Sequence, residues 1–170
     1  MRLFFAAFPG DTERAALTAW QDILHKIHGG RRTRPDTLHL TLVFLGNVPP
    51  DRWPQLKHAA QEVRCNSFGL TLDTAAYWPH NHIVYAAPSA VPDPLRNLVD
   101  ALEQRLGKES FVFDRRPYAP HMTLLRHAQS ATSPAPVMPD IHWTVSSFAL
   151  VQSRAGQGGG YQILEKYPLQ

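Results

Sequence analysis

The apolar positions of this chain change period several times, and the changes divide it into elements. Residues 3–8 form a short apolar run that ends at Pro9-Gly10, which predicts a buried first strand. Apolar residues at 16, 17, 20, 23, 24 and 27 then recur in threes and fours, predicting a helix. Asp11 or Thr12 caps it and Gly29-Gly30 stops it. Residues 38–45 read as a strand ending at Gly46-Asn47. Leu56, Ala59, Ala60 and Val63 mark the inward face of a second helix, with Pro54 still in its first turn. The stretch 68–78 alternates like a strand, and Pro79-His80-Asn81 turns it into residues 83–86 as a hairpin. Asp93-Pro94 starts a third helix with Leu95, Leu98, Val99, Leu102 and Leu106 on one face, which ends at Gly107. A short extended piece at 111–113 leads to a strand at 122–125, and residues 129–140 form a Ser-, Pro- and Ala-rich loop. Two final strands, 143–151 and 161–167, flank the glycine-rich segment 154–160. That segment lacks the Lys-Ser/Thr ending of a phosphate-binding loop and joins strands, so it is taken as structural.

Two of these strands open with the same short motif. His39-Leu40-Thr41-Leu42 and His121-Met122-Thr123-Leu124 both read His-x-Thr followed by Leu. Side chains two apart on a strand share a face, so His39 should point with Thr41 and His121 with Thr123. The order of elements repeats as well. A hairpin, a helix and a motif strand run through the middle of the chain, and the two ends together supply the same set. The expected fold is α+β: two pseudo-symmetric lobes, each an antiparallel sheet with helices on its outer face, around a central cleft. Residues 1–46 with 141–170 would make the terminal lobe and 47–140 the middle lobe of one bilobal domain.

Composition narrows the setting. With 170 residues and 44% hydrophobic content the chain can fill one core, and no apolar run is long enough to span a bilayer. The single cysteine, Cys65, rules out an intrachain disulfide and is compatible with a reducing, cytoplasmic setting. The net charge of +3 is modest, but its placement matters. Arg31, Arg32 and Arg34 precede the first motif, and Arg115 and Arg116 precede the second, a distribution that favours a phosphorylated ligand.

Two histidines and two threonines meeting in a cleft suit in-line attack on a cyclic phosphodiester. One imidazole takes a proton from water, the other protonates the departing sugar oxygen, and the hydroxyls donate to non-bridging oxygens. No metal and no cofactor is required. A metal site is the first rival, since His80 and His82 would share a strand face. The nearest acids, Asp36 and Asp114, fall in loops without a recognisable ligand spacing. No serine sits in a Gly-x-Ser-x-Gly turn, and nothing flags Cys65 as activated.

The paired motifs resemble those of the 2H phosphoesterase superfamily. Nearly the whole chain is similar to its RNA 2′,3′-cyclic phosphodiesterase branch, also labelled 2′-5′ RNA ligase-like. The likeness rests on Arg2-Leu3-Phe4-Phe5-Ala6, on 38–46, on Pro120 to Arg126, and on the final hairpin from Ser153 to Tyr161. It implies hydrolysis of RNA or oligonucleotide ends bearing a 2′,3′-cyclic phosphate to 2′-phosphomonoesters. No heptad or long apolar helix face demands a partner, so a monomer that needs no membrane is expected. The resemblance implies His39 as the acid for the leaving 3′ oxygen, His121 as the base for water, and Arg126 as a phosphate ligand beside Thr41 and Thr123. Strict alternation puts Arg126 on the face opposite His121, an objection that a bulge near Leu125 would remove. Tyr85 and Tyr118 are candidates for stacking on a base or for packing in the cleft wall. The alternatives are a non-catalytic module that binds RNA ends, and 2′-5′ ligation as the reverse reaction.

Overall fold

The computed structural model describes residues 2–154 and 160–170. The segment 155–159, most of the glycine-rich stretch read as structural, lies outside the described residues. Among the described residues ten strands form three sheets: β1 (Arg2–Ala7), β2 (Arg31–Arg32), β3 (Leu40–Asn47), β4 (Phe68–Leu72), β5 (Thr74–Trp78), β6 (Ile83–Ala87), β7 (Met122–Arg126), β8 (Ile141–Val145), β9 (Ser147–Arg154) and β10 (Gly160–Pro168). Three helices accompany them: α1 (Asp11–His28), α2 (Trp53–Gln61) and α3 (Asp93–Lys108). No helix among the described residues is long and apolar enough to cross a membrane.

All pairings are antiparallel. One sheet has the order β10-β9-β1-β3, a second β2-β7-β6-β5, and the third is the ribbon β4-β8. The ribbon joins the two larger sheets. Strand β4 runs on into β5 after Asp73, and β8 into β9 after Ser146, so each expected long strand is broken where it passes from one sheet to the next. The pseudo-twofold follows from this. β1 lies between β9 and the first motif strand as β6 lies between β5 and the second, and a helix links each pair in sequence.

The helices lie behind the sheets, and each reaches across to the other half. α1, which follows β1, packs on β7 and β8, and α3, which follows β6, packs on β3 and α2. One continuous apolar core therefore includes Leu3 and Phe5 of β1, Leu17 and Trp20 of α1, Leu98 and Leu102 of α3, and Leu124 and Leu125 of β7. A smaller cluster of Phe4, Ala6, Ala149 and Val151, with Phe8 and Tyr161, occupies the opposite face of the first sheet.

Helix α3 buries the five residues that its spacing selects. Helix α1 is rotated from expectation. Leu17, Trp20, Gln21, Leu24 and His28 are buried, while Ile23 is 42% exposed and Ile27 lies at the surface. The rotation is tolerated because both buried polar groups are satisfied. Gln21 Nε2 donates to the carbonyls of Thr33 (2.8 Å) and Leu124 (2.9 Å). His28 Nδ1 donates to the Gln129 carbonyl at 2.8 Å. The cap is also one residue earlier than expected, at Gly10.

Candidate active site

Each motif histidine stands immediately before its strand, and the same local geometry orients both. His39 Nδ1 lies 2.8 Å from the carbonyl oxygen of Thr37, and His121 Nδ1 lies 2.8 Å from that of Ala119. A carbonyl only accepts, so Nδ1 carries the proton in each ring and Nε2 is the nitrogen left to titrate. The two rings influence each other electrostatically, and both feel Arg126. Loss of solvent is the main cause lowering the pKa of each imidazole below its ordinary value. The bond to the carbonyl opposes that shift, the Arg126 charge adds to it, and at His39 so does His121.

Aromatic side chains line both halves. His39 packs against Tyr161 (ring centroids 4.9 Å apart), Phe4 (5.1 Å) and Phe8 (5.9 Å). His121 lies 4.6 Å from Trp78 and 5.8 Å from Tyr85, and those two rings are themselves 4.1 Å apart. Phe4 and Tyr161 lie in stretches that carry the family likeness, but no local pattern marks them, Phe8 or Trp78 as neighbours of a histidine. They come from β1 and the residue after it, from β5 and from β10, and only the sheet order brings them to the motif strands.

The register of β7 answers the question posed by Arg126. Thr123 pairs with Tyr85 and Leu125 with Val84, so Leu124 is an extra residue without a partner on β6. This β-bulge inverts the alternation beyond it. Leu124 and Leu125 are both buried in the core, and Arg126 returns to the face of His121 and Thr123, where its charge reaches both imidazoles. Strand β3 contains the same irregularity: Ala6 pairs with Thr41 and Phe5 with Val43, leaving Leu42 over. Phe44, 43% exposed and paired with Phe4, is the counterpart of Arg126. The pseudo-symmetric cleft thus has an aromatic ring on one side where it has a cation on the other.

The arginine clusters do not stand where sequence adjacency suggests. The segment before the first motif runs along the second motif strand, with Arg31 opposite Arg126, Arg32 opposite Leu125, and the Thr33 amide donating to the Leu124 carbonyl at 2.9 Å. The segment before the second motif covers the outer edge of β3. There the Asp114 amide donates to the Phe44 carbonyl (3.0 Å) and the Tyr118 hydroxyl to the Thr41 carbonyl (3.0 Å). Tyr118 is therefore a packing residue, and burial keeps its hydroxyl protonated by raising its pKa far above the ordinary value. Most of the cluster charge is met locally. Arg32 pairs with Asp22, Arg34 with Asp36 and Arg116 with Asp114, while Arg115 lies over the Phe113 ring.

His80 and His82, the suggested alternative ligands, are not on a strand. They sit in the turn between β5 and β6, where His82 has φ of 55° and its Nδ1 lies 3.0 Å from the Tyr77 hydroxyl. Among the described residues no three His, Cys, Asp or Glu side chains gather as a metal site. Cys65 is half-buried, and burial raises its thiol pKa, which makes it a poor nucleophile.

Residues 9–157 match the family model of the 2′-5′ RNA ligase superfamily. The chain belongs to that superfamily. Within the 2′-5′ RNA ligase superfamily it is 33% identical to the RNA 2′,3′-cyclic phosphodiesterase of Escherichia coli K12 over 159 residues, 92% of this chain and 89% of that protein. It is also 33% identical to the RNA 2′,3′-cyclic phosphodiesterase of Thermus thermophilus, over 99% of this chain and 90% of its relative. E. coli LigT, solved in complex with 3′-AMP, superposes with a TM-score of 0.89 at 31% identity, covering 99% of this chain and 97% of that one. The expected α+β architecture is therefore the 2H phosphoesterase fold of this superfamily.

Proposed function

We propose that this protein is an RNA 2′,3′-cyclic phosphodiesterase. It opens the cyclic phosphate at an RNA or oligonucleotide end to a 2′-phosphomonoester by general acid and base catalysis from two histidines. One observation carries the mechanism: both Nδ1 atoms are tied to a carbonyl two residues back, leaving two Nε2 atoms as the titrating nitrogens beside one arginine. The activity agrees with the names of relatives that are one third identical over almost the whole chain.

In this mechanism His121 Nε2 takes a proton from the attacking water as its oxygen bonds to phosphorus. The bond from phosphorus to the 3′ oxygen breaks, and protonated His39 gives its Nε2 proton to that oxygen. Thr41 and Thr123 donate hydroxyl protons to the non-bridging oxygens, and Arg126 holds the negative charge that grows there. An arriving phosphate offsets the Arg126 charge felt by both rings, which favours the protonated imidazole that the acid step needs. Both motif strands come from one chain, and the enzyme acts as a cytoplasmic monomer.

The deciding experiment incubates the purified protein, in excess EDTA, with a short RNA ending in a 2′,3′-cyclic phosphate and maps the terminal phosphate. A 2′-phosphate product is expected. Activity restored only by a divalent metal would overturn the two-histidine mechanism, and tight binding without turnover would make the protein a binding module for RNA ends.

A further inference from the structure

One cation in the cleft region is not used by the mechanism above. Strand β2 is only two residues long and pairs with the outer edge of β7. Directly paired residues of an antiparallel ladder project their side chains to the same face. Arg31 is paired with Arg126, and Arg32 with Leu125. The two faces of this pairing are identified independently. Arg32 forms an ion pair with Asp22 on α1, the helix packed behind β7, and its partner Leu125 belongs to the core. Arg31 must then lie on the other face with Arg126, whose charge reaches both histidines. Arg31 is exposed, as are Arg32, Arg34 and Arg116, but unlike them it meets no carboxylate among the described residues.

The approach of β2 to β7 is also built in. Gly30 has φ of 80°, and a Cβ on it would come within 2.6 Å of the Arg126 carbonyl oxygen. No other residue could start the strand so close to that backbone. The position of Arg31 is thus set by tight backbone packing.

We propose that Arg31 binds the internucleotide phosphodiester that precedes the reacting terminal nucleotide, and so makes the enzyme prefer oligonucleotides to mononucleotides. The inference rests on the phosphodiesterase reading above, which assigns the terminal phosphate to His39, His121, Thr41, Thr123 and Arg126. Arg31 stands one strand spacing, about 4.8 Å, further toward the sheet edge, and the side chain adds its own reach. Arg31 is paired with the last residue of β7, the end of the strand remote from His121, a place that suits the next phosphate along the chain. A guanidinium without a carboxylate partner is available to it as a two-pronged donor.

The test compares wild type with Arg31→Ala and Arg31→Lys on two substrates: a trinucleotide ending in a 2′,3′-cyclic phosphate, and a nucleoside 2′,3′-cyclic phosphate with no second phosphate. For Arg31→Ala, kcat/KM on the trinucleotide should fall about tenfold, mainly through KM, a size typical of one charge-assisted contact. Turnover of the mononucleotide should change less than twofold, and Arg31→Lys should recover part of the loss. Equal losses on both substrates would overturn the proposal by placing Arg31 on the reacting phosphate or in the fold, and no loss on either would overturn it outright. A second readout does not need turnover. Binding of the trinucleotide carrying a terminal 2′-phosphate should weaken in Arg31→Ala, and the slope of log K against log salt should shrink by about 0.7, the value for one contact to a single strand. If wild type hydrolyses neither substrate, the phosphodiesterase reading fails, and an unchanged salt slope would then reject Arg31 separately.

Discussion

Replacing Gly30 with alanine tests the packing that aligns Arg31 and Arg126. Gly30 has φ of 80°, so any L side chain pays left-handed strain of roughly 1–2 kcal/mol. The new Cβ would also lie 2.6 Å from the Arg126 carbonyl oxygen and 3.0 Å from both the amide nitrogen and Cα of Ala128, all backbone atoms. None of these can turn away as a flexible side chain would. Relief requires β2 to move off β7, which strains its ladder with Arg126 and Leu125 and the 2.9 Å bond from the Thr33 amide to the Leu124 carbonyl. Losing two such bonds, at about 1 kcal/mol each, brings the expected cost to about 3–4 kcal/mol. Two controls separate strain from contact. Gly29, at φ 60° and ψ −142°, lies in a region open to glycine alone but has open space around its Cβ position, so Gly29→Ala tests strain without contact and should cost about 1–3 kcal/mol. Gly69 in β4 has neither feature, and Gly69→Ala should be neutral or stabilise by up to about 1 kcal/mol. Urea unfolding at equilibrium measures all three as shifts in midpoint at constant slope. If Gly30→Ala cost no more than the roughly 1–2 kcal/mol of left-handed strain alone, the close approach of β2 to Arg126 would be refuted.

The remaining predictions concern the site and its support. His39→Ala and His121→Ala should each lower kcat by at least ~10²-fold with the thermal transition preserved, and the double variant should lose less than the product of the two. Near-normal rates in both single variants would remove the histidines from the mechanism. Since burial and Arg126 lower both imidazole pKa values, both limbs of the kcat/KM profile should lie below about pH 6.5. Arg126→Ala should move both limbs upward, and an unmoved profile would exclude its charge from the cleft. The same shifts make stability fall as pH drops below about 6.5, because the unfolded chain takes up protons that the folded imidazoles resist until their lower pKa values are reached. That loss is measurable as a falling urea midpoint. Gln21→Leu should cost about 1–3 kcal/mol by leaving the Thr33 carbonyl without its amide donor, and an unchanged urea midpoint would contradict that role.

Local patterns were enough to find the motif strands, the five buried positions of α3 and the His-Thr pairs, because each depends on periodicity within one element. The same logic placed the buried stripe of α1 too far to one side: Leu17, Trp20 and Leu24 are buried as expected, but Ile23 and Ile27 are not. Apolarity favoured Ile23 and Ile27, whereas Gln21 and His28 are buried because carbonyls at Thr33, Leu124 and Gln129 accept their protons. Those acceptors are distant in sequence, so no window could reveal them.

The sequence by itself determined which residue types the candidate site offers: two imidazoles and two hydroxyls at strand spacing, with an arginine five residues after the second histidine. Tertiary structure decided where they point and what surrounds them. The bulges at Leu42 and Leu124 exist only relative to β1 and β6, and the second turns Arg126 from the core face to the cleft. The arginine clusters are adjacent to one motif in sequence and beside the other in space, and carboxylates neutralise most of their charge. The physical reason is common to both. Side-chain alternation is a property of one strand, but register, edge coverage and charge pairing depend on the neighbouring segment, and here β2 with β7 and β3 with the Asp114 segment are far apart in sequence.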